Sequence, residues 1–329
     1  MLFYLFVLIL LMIFSINQNN KISVHICLFF LMALISLKGD VGPDFSGYLY
    51  RYDNFVPSIS LLKSKGEIAW FFIEYITYIQ KWDYQTYTIF TGVIGIGFLI
   101  LAQRKIQYLG FLAFIFQILI VQLGLSGMRQ FIAVCIVIYA TSIYIFENKR
   151  SIIKFILLII FAASFHISAL TMLFILPFLI KLNKKQMFFI FLLIIVGLSS
   201  EILAANIDKY DSRYLQSTKY SSGAYFRFII TAIIIKLGLI KSNKKLYHLG
   251  ILLLVFGIVM GFVNTIALHR FNYYLLPISC MILIRNYQLG LINPFKMNFV
   301  YLMSIFYLII FFIYSTHGEA FVPYKFYFE

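Results

Sequence analysis

The sequence predicts an all-α, polytopic integral membrane protein, with about twelve transmembrane helices and one external amphipathic helix in a single domain over 1–329. Three observations predict it. Of the 329 residues, 62% are hydrophobic and only 12% charged, against about half and about a quarter in soluble domains. The apolar residues fall in runs of about 15 to 20, close to the length that spans a bilayer as helix. The Lys and Arg residues sit in short loops between the runs, as cytoplasmic loops do in membrane proteins. The runs do not alternate polar and apolar residues, so they do not describe a transmembrane β-barrel.

In chain order the expected spans are 1–16, 22–37, 84–102, 107–124, 130–146, 152–165, 168–180, 186–205, 225–241, 247–268, 271–287 and 297–314. The basic clusters Arg104–Lys105, Lys149–Arg150–Lys154, Lys181–Lys184–Lys185 and Lys241–Lys244–Lys245 are each separated by two such spans. All four therefore fall on one side, read as cytoplasmic. The first run, Met1 to Phe14, lacks a basic leader and a small-residue cleavage site, so it reads as a retained helix. Between Gly66 and Trp82, residues Ile68, Phe72, Tyr75 and Ile79 share one helical face, while Glu67, Glu74, Thr77 and Lys81 lie mostly opposite. That pattern predicts a helix lying in the external interface rather than a span.

The net charge of +15 belongs to the basic loops and to anionic lipid, and nucleic acid is not an expected partner. Cys27, Cys135 and Cys280 each lie within an apolar run and far apart, so they read as small buried hydrophobes. No Cys/His spacing and no acidic cluster suggests a metal, and no cofactor is expected.

With the basic loops cytoplasmic, the polar segments collect on the opposite face: Lys38–Lys65, Ser126–Gln130, the turn at His166, Asn206–Tyr225, the pair His269–Arg270 and the tail from His317. A working site should face outward. Arg129 follows the chain break Ser126–Gly127, with Ser126 as the expected cap. It falls in the first turn of a helix, where free N–H groups and a guanidinium together favour an anion; the alternative is an arginine snorkelling to headgroups. Arg270 is expected at an external helix end, on lipid or on substrate. Arg213 has Asp208 and Asp211 as neighbours and Arg51 has Asp53, so local ion pairs are expected. His166 reads as a structural turn residue or a substrate contact. Asp44, after Gly42–Pro43, reads as a turn or cap residue or as a carboxylate base. Tyr48 and the neighbouring tyrosines suit either an interfacial belt or the faces of sugars.

Three pieces carry a resemblance: Gly42-Pro43-Asp44-Phe45-Ser46-Gly47-Tyr48, the stretch from Ser126 to Ala133 containing Arg129–Gln130, and Phe165-His166-Ile167-Ser168-Ala169. In this order they resemble the EpsG/Wzy-type family of bacterial polysaccharide polymerases. The Glu67 stretch and Pro323–Tyr324 also look similar. Pro43 stands where the family usually has Thr or a similar residue, and Lys38 where it often has Arg. The resemblance implies a metal-independent glycosyltransferase in the cytoplasmic (inner) membrane, working on its external or periplasmic face in exopolysaccharide, capsule or O-antigen synthesis. Its substrate would be a polyprenyl-pyrophosphate-linked oligosaccharide, and a flippase and a chain-length regulator would be possible partners. Catalytic roles fall to Arg129 and to Asp44 or His166 as base. Substrate contacts fall to Arg270, Gln130, Tyr48, Arg51 and Arg213. A lipid-linked glycan flippase, a glycan ligase and an outward-facing O-acetyltransferase are the competing readings.

Overall fold

The structure is a computed structural model that describes residues 1–16, 21–58, 67–147, 151–175, 222–263, 265–314 and 318–328. It is helical throughout these residues, and its one β-type contact is an isolated antiparallel bridge between Lys38 and Phe326.

The helices are α1 (Leu2–Ile16), α2 (Lys21–Ser36), the short α3 (Phe45–Asp53) and α4 (Ile68–Gln80), then α5 (Tyr84–Ile106). Next, α6 (Gly110–Ile115) continues directly as a π-helix, Phe116–Gly124. After it come α7 (Met128–Phe146), α8 (Ile152–Phe165) and a 3-10 helix, Ile167–Ile175. The chain resumes with α9 (Ser222–Gly238), α10 (Lys244–Val263), α11 (Thr265–Gln288) and α12 (Pro294–Tyr314), and closes with a 3-10 turn, Gly318–Phe321. Local chemistry sets several starts: the Asp83 side chain accepts from Thr86 N–H at the head of α5, and Ser151 from Lys154 N–H at the head of α8.

Among the described residues four helices are long and apolar enough to cross a membrane: Tyr84–Ile106, Met128–Phe146, Lys244–Phe262 and Pro294–Ile313. Four shorter apolar ones are Leu2–Ile16, Ile22–Ser36, Gly110–Gly124 and Ile152–Phe165. The protein is a membrane-embedded helical bundle. The expected span 186–205 and the last part of 168–180, from 176 on, lie outside the described residues; where 168–180 is described, it is 3-10 rather than α-helix. The expected turn residues 269–270 lie instead within α11, which begins at Thr265, so Arg270 sits in the helix rather than ahead of it.

The centre of the bundle is α7 with the 110–124 segment, whose residues are buried on every side, as expected of helices without a polar face. Close approach of α5 to α7 depends on Gly95: a Cβ there would lie 2.2 Å from the Phe131 ring. Small residues at such crossings let helices pack in lipid, where there is no hydrophobic drive between them. Cys27, Cys135 and Cys280 are all buried free thiols.

Contacts sort the helix ends into two groups. At one end Lys105 pairs with Glu147, Lys154 and Lys245 lie over Tyr139 and Tyr144, and Arg285 over Phe146. Basic residues far apart in sequence thus converge around the C-terminus of α7, where cations complement the helix dipole. The opposite end holds the 37–44 loop, α3, α4, the heads of α7 and α11 and the C-terminal tail. There Gly39 N–H donates to Lys325 O, Gly42 N–H to Ala320 O and Tyr327 N–H to Leu37 O. On α4, Ile68, Phe72, Tyr75 and Ile79 are exposed while Glu74 and Thr77 are buried, so its apolar face turns outward and its polar face inward, the arrangement of a helix against lipid.

Replacing Gly95 with Leu should force α5 and α7 apart and cost about 1–3 kcal/mol. Thermal melting of the detergent-purified protein tests this; an unchanged midpoint would mean the crossing is loose.

Candidate active site

At the loop-rich end, four separated stretches come together. The backbone of Gly42 has φ +93°, and a Cβ would lie 2.8 Å from Leu125 O. Only glycine accommodates both demands, and this fixes the Gly42-Pro43-Asp44 turn against the end of the π-helix. Below it Lys38, buried, donates to Gly124 O (3.1 Å) and Leu125 O (2.7 Å). Burial pushes its ammonium down to about 7, with Asp44 opposing the shift. Both protonation states keep enough N–H groups for two carbonyls.

Asp44 stands at the N-cap of α3 but does not cap it. Its carboxylate instead accepts from the Ser126 hydroxyl at 2.8 Å, and Asp44 N–H donates back to the same hydroxyl at 3.3 Å. Ser126 is therefore not the cap of α7, as expected from the sequence; Gly127 occupies that place. The exchange leaves Asp44 exposed and fixed through one oxygen.

Arg129 is the second residue of α7. Glu67, immediately before α4 and only 8% exposed, accepts from its Nη1 at 2.5 Å. Tyr48 lies under the guanidinium, its ring centroid 5.9 Å from Cζ, and its hydroxyl accepts from Arg129 N–H (3.4 Å) and Nε (3.5 Å). Burial raises the Tyr48 phenol's pKa, with Arg129 opposing the shift, so it stays protonated. Nη2 makes no hydrogen bond among the described residues. A cation in a first helical turn opposes the helix dipole; Glu67 supplies the compensating charge and Tyr48 the orientation. The pair Arg51–Glu74 repeats the device one α4 turn pair further on, with Trp70 also donating to Glu74 at 2.8 Å. Arg51 thus pairs with Glu74 rather than with Asp53 as expected: Glu74 lies on the inward face of α4, directly against α3.

His166 ends α8. The Ser168 N–H donates to its Nδ1 (3.3 Å), and the Ser168 hydroxyl sits 2.7 Å from the same atom and 2.8 Å from the Tyr274 hydroxyl. An amide can only donate, so Nδ1 is the acceptor and the ring proton resides on Nε2. Burial, then the charges of Arg270 and Arg129, push the imidazolium down to about 3. His166 is therefore a neutral donor at working pH and a weak base. Arg270 is exposed on α11, within electrostatic reach of His166. Gln130 lies beside Arg129 in α7, its Nε2 buried without a hydrogen-bond partner. Arg213 lies outside the described residues.

Beyond Arg51, a groove of about 670 Å³ opens between α3, α4 and the head of α5, walled by Tyr52, Phe55, Tyr78, Trp82 and Tyr87, with Asp53, Glu74 and Lys81 as its charged members. Among the described residues no three His, Cys, Asp or Glu side chains gather as a metal site would need.

The structure thus brings Asp44, Tyr48, Arg129, Gln130, His166 and Arg270 to one end of the bundle, with Arg51 alongside. The sequence profile of the EpsG family matches residues 21–326, nearly the whole chain. The chain belongs to the EpsG family. This is a Wzy-type, polymerase-like family, and the match covers all three motifs as well as the tail that ties down the first. Among curated proteins and among solved structures, nothing matches. As an EpsG-family chain it is a polysaccharide-polymerase-like membrane protein. Reasoning from sequence put Lys38 and the Glu67 stretch at this end but did not foresee that Glu67 pairs with Arg129 or that Lys38 holds the carbonyls of Gly124 and Leu125. Glu67 and Glu74, seven apart on the polar face of one amphipathic helix, were the available signal for paired arginines; Lys38 offered only its place beside the first motif.

The imidazole of His166 should remain neutral with its proton on Nε2 between about pH 5 and 8. Nitrogen-15 NMR of the ring, assigned against His166→Asn, checks this; titration near the ordinary histidine range would refute it. Unfolding should bind a proton there: the unfolded ring titrates near about 6.5, so this residue's contribution to stability falls as pH drops from there toward the folded value. His166→Asn should flatten that acid limb.

Proposed function

We propose that this chain polymerises oligosaccharide repeat units carried on polyprenyl diphosphate, at the external face of the cytoplasmic membrane, through about twelve spans. The observation that carries the reading is the meeting of Asp44, Arg129 and His166 at the end of the bundle opposite the basic residues. The positive-inside bias puts the basic end in the cytoplasm, and the motif cluster then faces outward.

In this reading the acceptor is a sugar hydroxyl on one lipid-linked unit, and the donor is the anomeric carbon of another. The acceptor oxygen bonds to that carbon as the carbon–oxygen bond to diphosphate breaks. The acceptor proton passes to Asp44, whose free oxygen is exposed and whose other oxygen Ser126 holds. Diphosphate leaves with the bonding electrons and meets Arg129, whose Nη2 is open, at the head of α7, where backbone N–H groups also favour an anion. His166, held neutral, donates from Nε2 to a substrate oxygen rather than taking the proton. This assigns the base to Asp44, because a ring that resists protonation down to about 3 is poorly matched to proton removal near neutrality. The aromatic groove beyond Arg51 offers rings for sugar faces and carboxylates for hydroxyls. Charge-assisted hydrogen bonds are worth about 1.5–3 kcal/mol each, so Arg129 with Arg270 would supply about 10² to 10⁴ in rate if those bonds strengthen in the transition state.

The test is deletion of the gene in its host, complemented by wild type, Arg129→Ala, Arg129→Lys or Asp44→Asn, with sizing of the surface glycan and its lipid-linked intermediates. Single repeat units that reach the outer side without long polymer are expected from the deletion and from Arg129→Ala and Asp44→Asn. Arg129→Lys should also fail, because an ammonium cannot reach Glu67 and a phosphate together in the guanidinium's planar fork. Units trapped inside would mark a flippase, and long polymer retained on its lipid would mark a ligase; either would overturn the reading.

A further inference from the structure

A further guanidinium lies at the loop-rich end of the bundle, away from the three motifs. Arg227 sits in the second turn of α9, half-buried against the π-helix and α11. Its Nη1 donates to Gln122 Oε1 (3.0 Å) on the π-helix and to the Tyr273 hydroxyl (3.3 Å), and approaches His269 Nε2 at 3.5 Å. The Tyr273 ring lies 5.8 Å from its Cζ. None of these partners is a carboxylate, and among the described residues no carboxylate pairs with Arg227, in contrast to Arg51 and Arg129. An ionised side chain within a membrane bundle is costly unless it serves a function or is paired.

The surroundings are also unsatisfied. The amide nitrogen of Gln122 and the Tyr307 hydroxyl are buried and meet no partner at good hydrogen-bond geometry among the described residues; beside Arg227 they lie close enough to each other for at most a weak bond. Gln122 is 7% and Tyr307 5% exposed. Three donors of unused capacity, one of them cationic, thus converge where native proteins seldom leave polar groups unmade. They ask for an anion with several acceptor oxygens. The site is separate from the first but linked to it. On α11, His269 and Tyr273 face Arg227, while the next pair, Arg270 and Tyr274, serves His166. On the other side, Gln122 lies two residues before the carbonyls that Lys38 holds.

We propose that Arg227, Gln122 and Tyr307 form a second diphosphate subsite, which holds the lipid-linked acceptor while Arg129 meets the donor's leaving diphosphate. This rests on the polymerase reading, whose two substrates both carry a diphosphate, and two such anions in one bundle need two cations held apart. Arg227 makes no contact with the reacting atoms; it positions the acceptor.

The full chain in phosphatidylcholine nanodiscs, with geranylgeranyl diphosphate as probe and native mass spectrometry as readout, tests the subsite. Wild type should bind two copies, Arg227→Gln one and Arg129→Gln one. Arg227→Lys, which keeps the charge and guards against a folding failure, should keep the second copy at about tenfold lower affinity, the loss of one charge-assisted hydrogen bond. Two copies at wild-type affinity on Arg227→Gln would overturn the proposal. So would displacement of the Arg227-dependent copy by equimolar phosphatidylglycerol, which would make the ligand a lipid headgroup. A copy that depends on Arg227 but none that depends on Arg129 would keep this subsite and sink the role given to Arg129. A wild-type chain that binds no copy sinks both.

Discussion

The buried ammonium of Lys38 on the carbonyls of Gly124 and Leu125 joins the two halves of the site end. A π-helix that stops inside the protein leaves backbone oxygens without partners, and burying them bare costs about 1–3 kcal/mol apiece. A lysine reaching across from the end of α2 satisfies two at once. That bond fixes how the first loop lies over the π-helix, which puts Gly42 close enough to Leu125 to require the absence of a Cβ, and Asp44 close enough to Ser126 to exchange hydrogen bonds. The position of the carboxylate follows from where the π-helix ends.

The arginines are set by a parallel logic. A guanidinium in a low-dielectric site needs a counter-charge, and α4 supplies Glu67 and Glu74 from its inward face to Arg129 and Arg51. The carboxylates reach Arg129 and Arg51 through Nη1 and Nε/Nη2 respectively, so at Arg129 they neutralise charge while leaving Nη2 open. His166 gains the opposite property from the same neighbourhood. Two nearby cations and burial keep it uncharged, so a residue that ordinarily switches near neutrality becomes a fixed donor.

Much of this was legible in the sequence because a bilayer imposes few solutions. Apolar runs of spanning length must be helices, and α1, α2, α8 and α12 fall close to where the runs lie. The face of α4 that carries Ile68, Phe72, Tyr75 and Ile79 does turn outward. What sequence could not supply was pairing across distance. Arg51 has Asp53 two residues away, yet two residues along a helix point to different sides, and Glu74 wins through packing. Ser126 looked like a cap because serine before a helix usually is one; Asp44, from a loop over eighty residues earlier, took its hydroxyl instead. Arg227 carries no local mark at all, since its neighbours on α9 are apolar and its partners lie on three other elements. His269 and Arg270 fall within α11 because the helix already runs from Thr265, through polar residues that seemed to interrupt it.

The tail that bridges Lys38 to Phe326 has a consequence in time. The loop carrying Asp44 is synthesised well before Ala320 and Lys325, whose backbone groups tie it down. Until they leave the ribosome, Gly39 and Gly42 lack their acceptors and the loop has only its contacts with the π-helix. The site is therefore framed only once the chain has been made as far as Lys325. A nascent chain that has not reached it carries the carboxylate and the guanidinium but not the frame that holds the loop, and so remains idle.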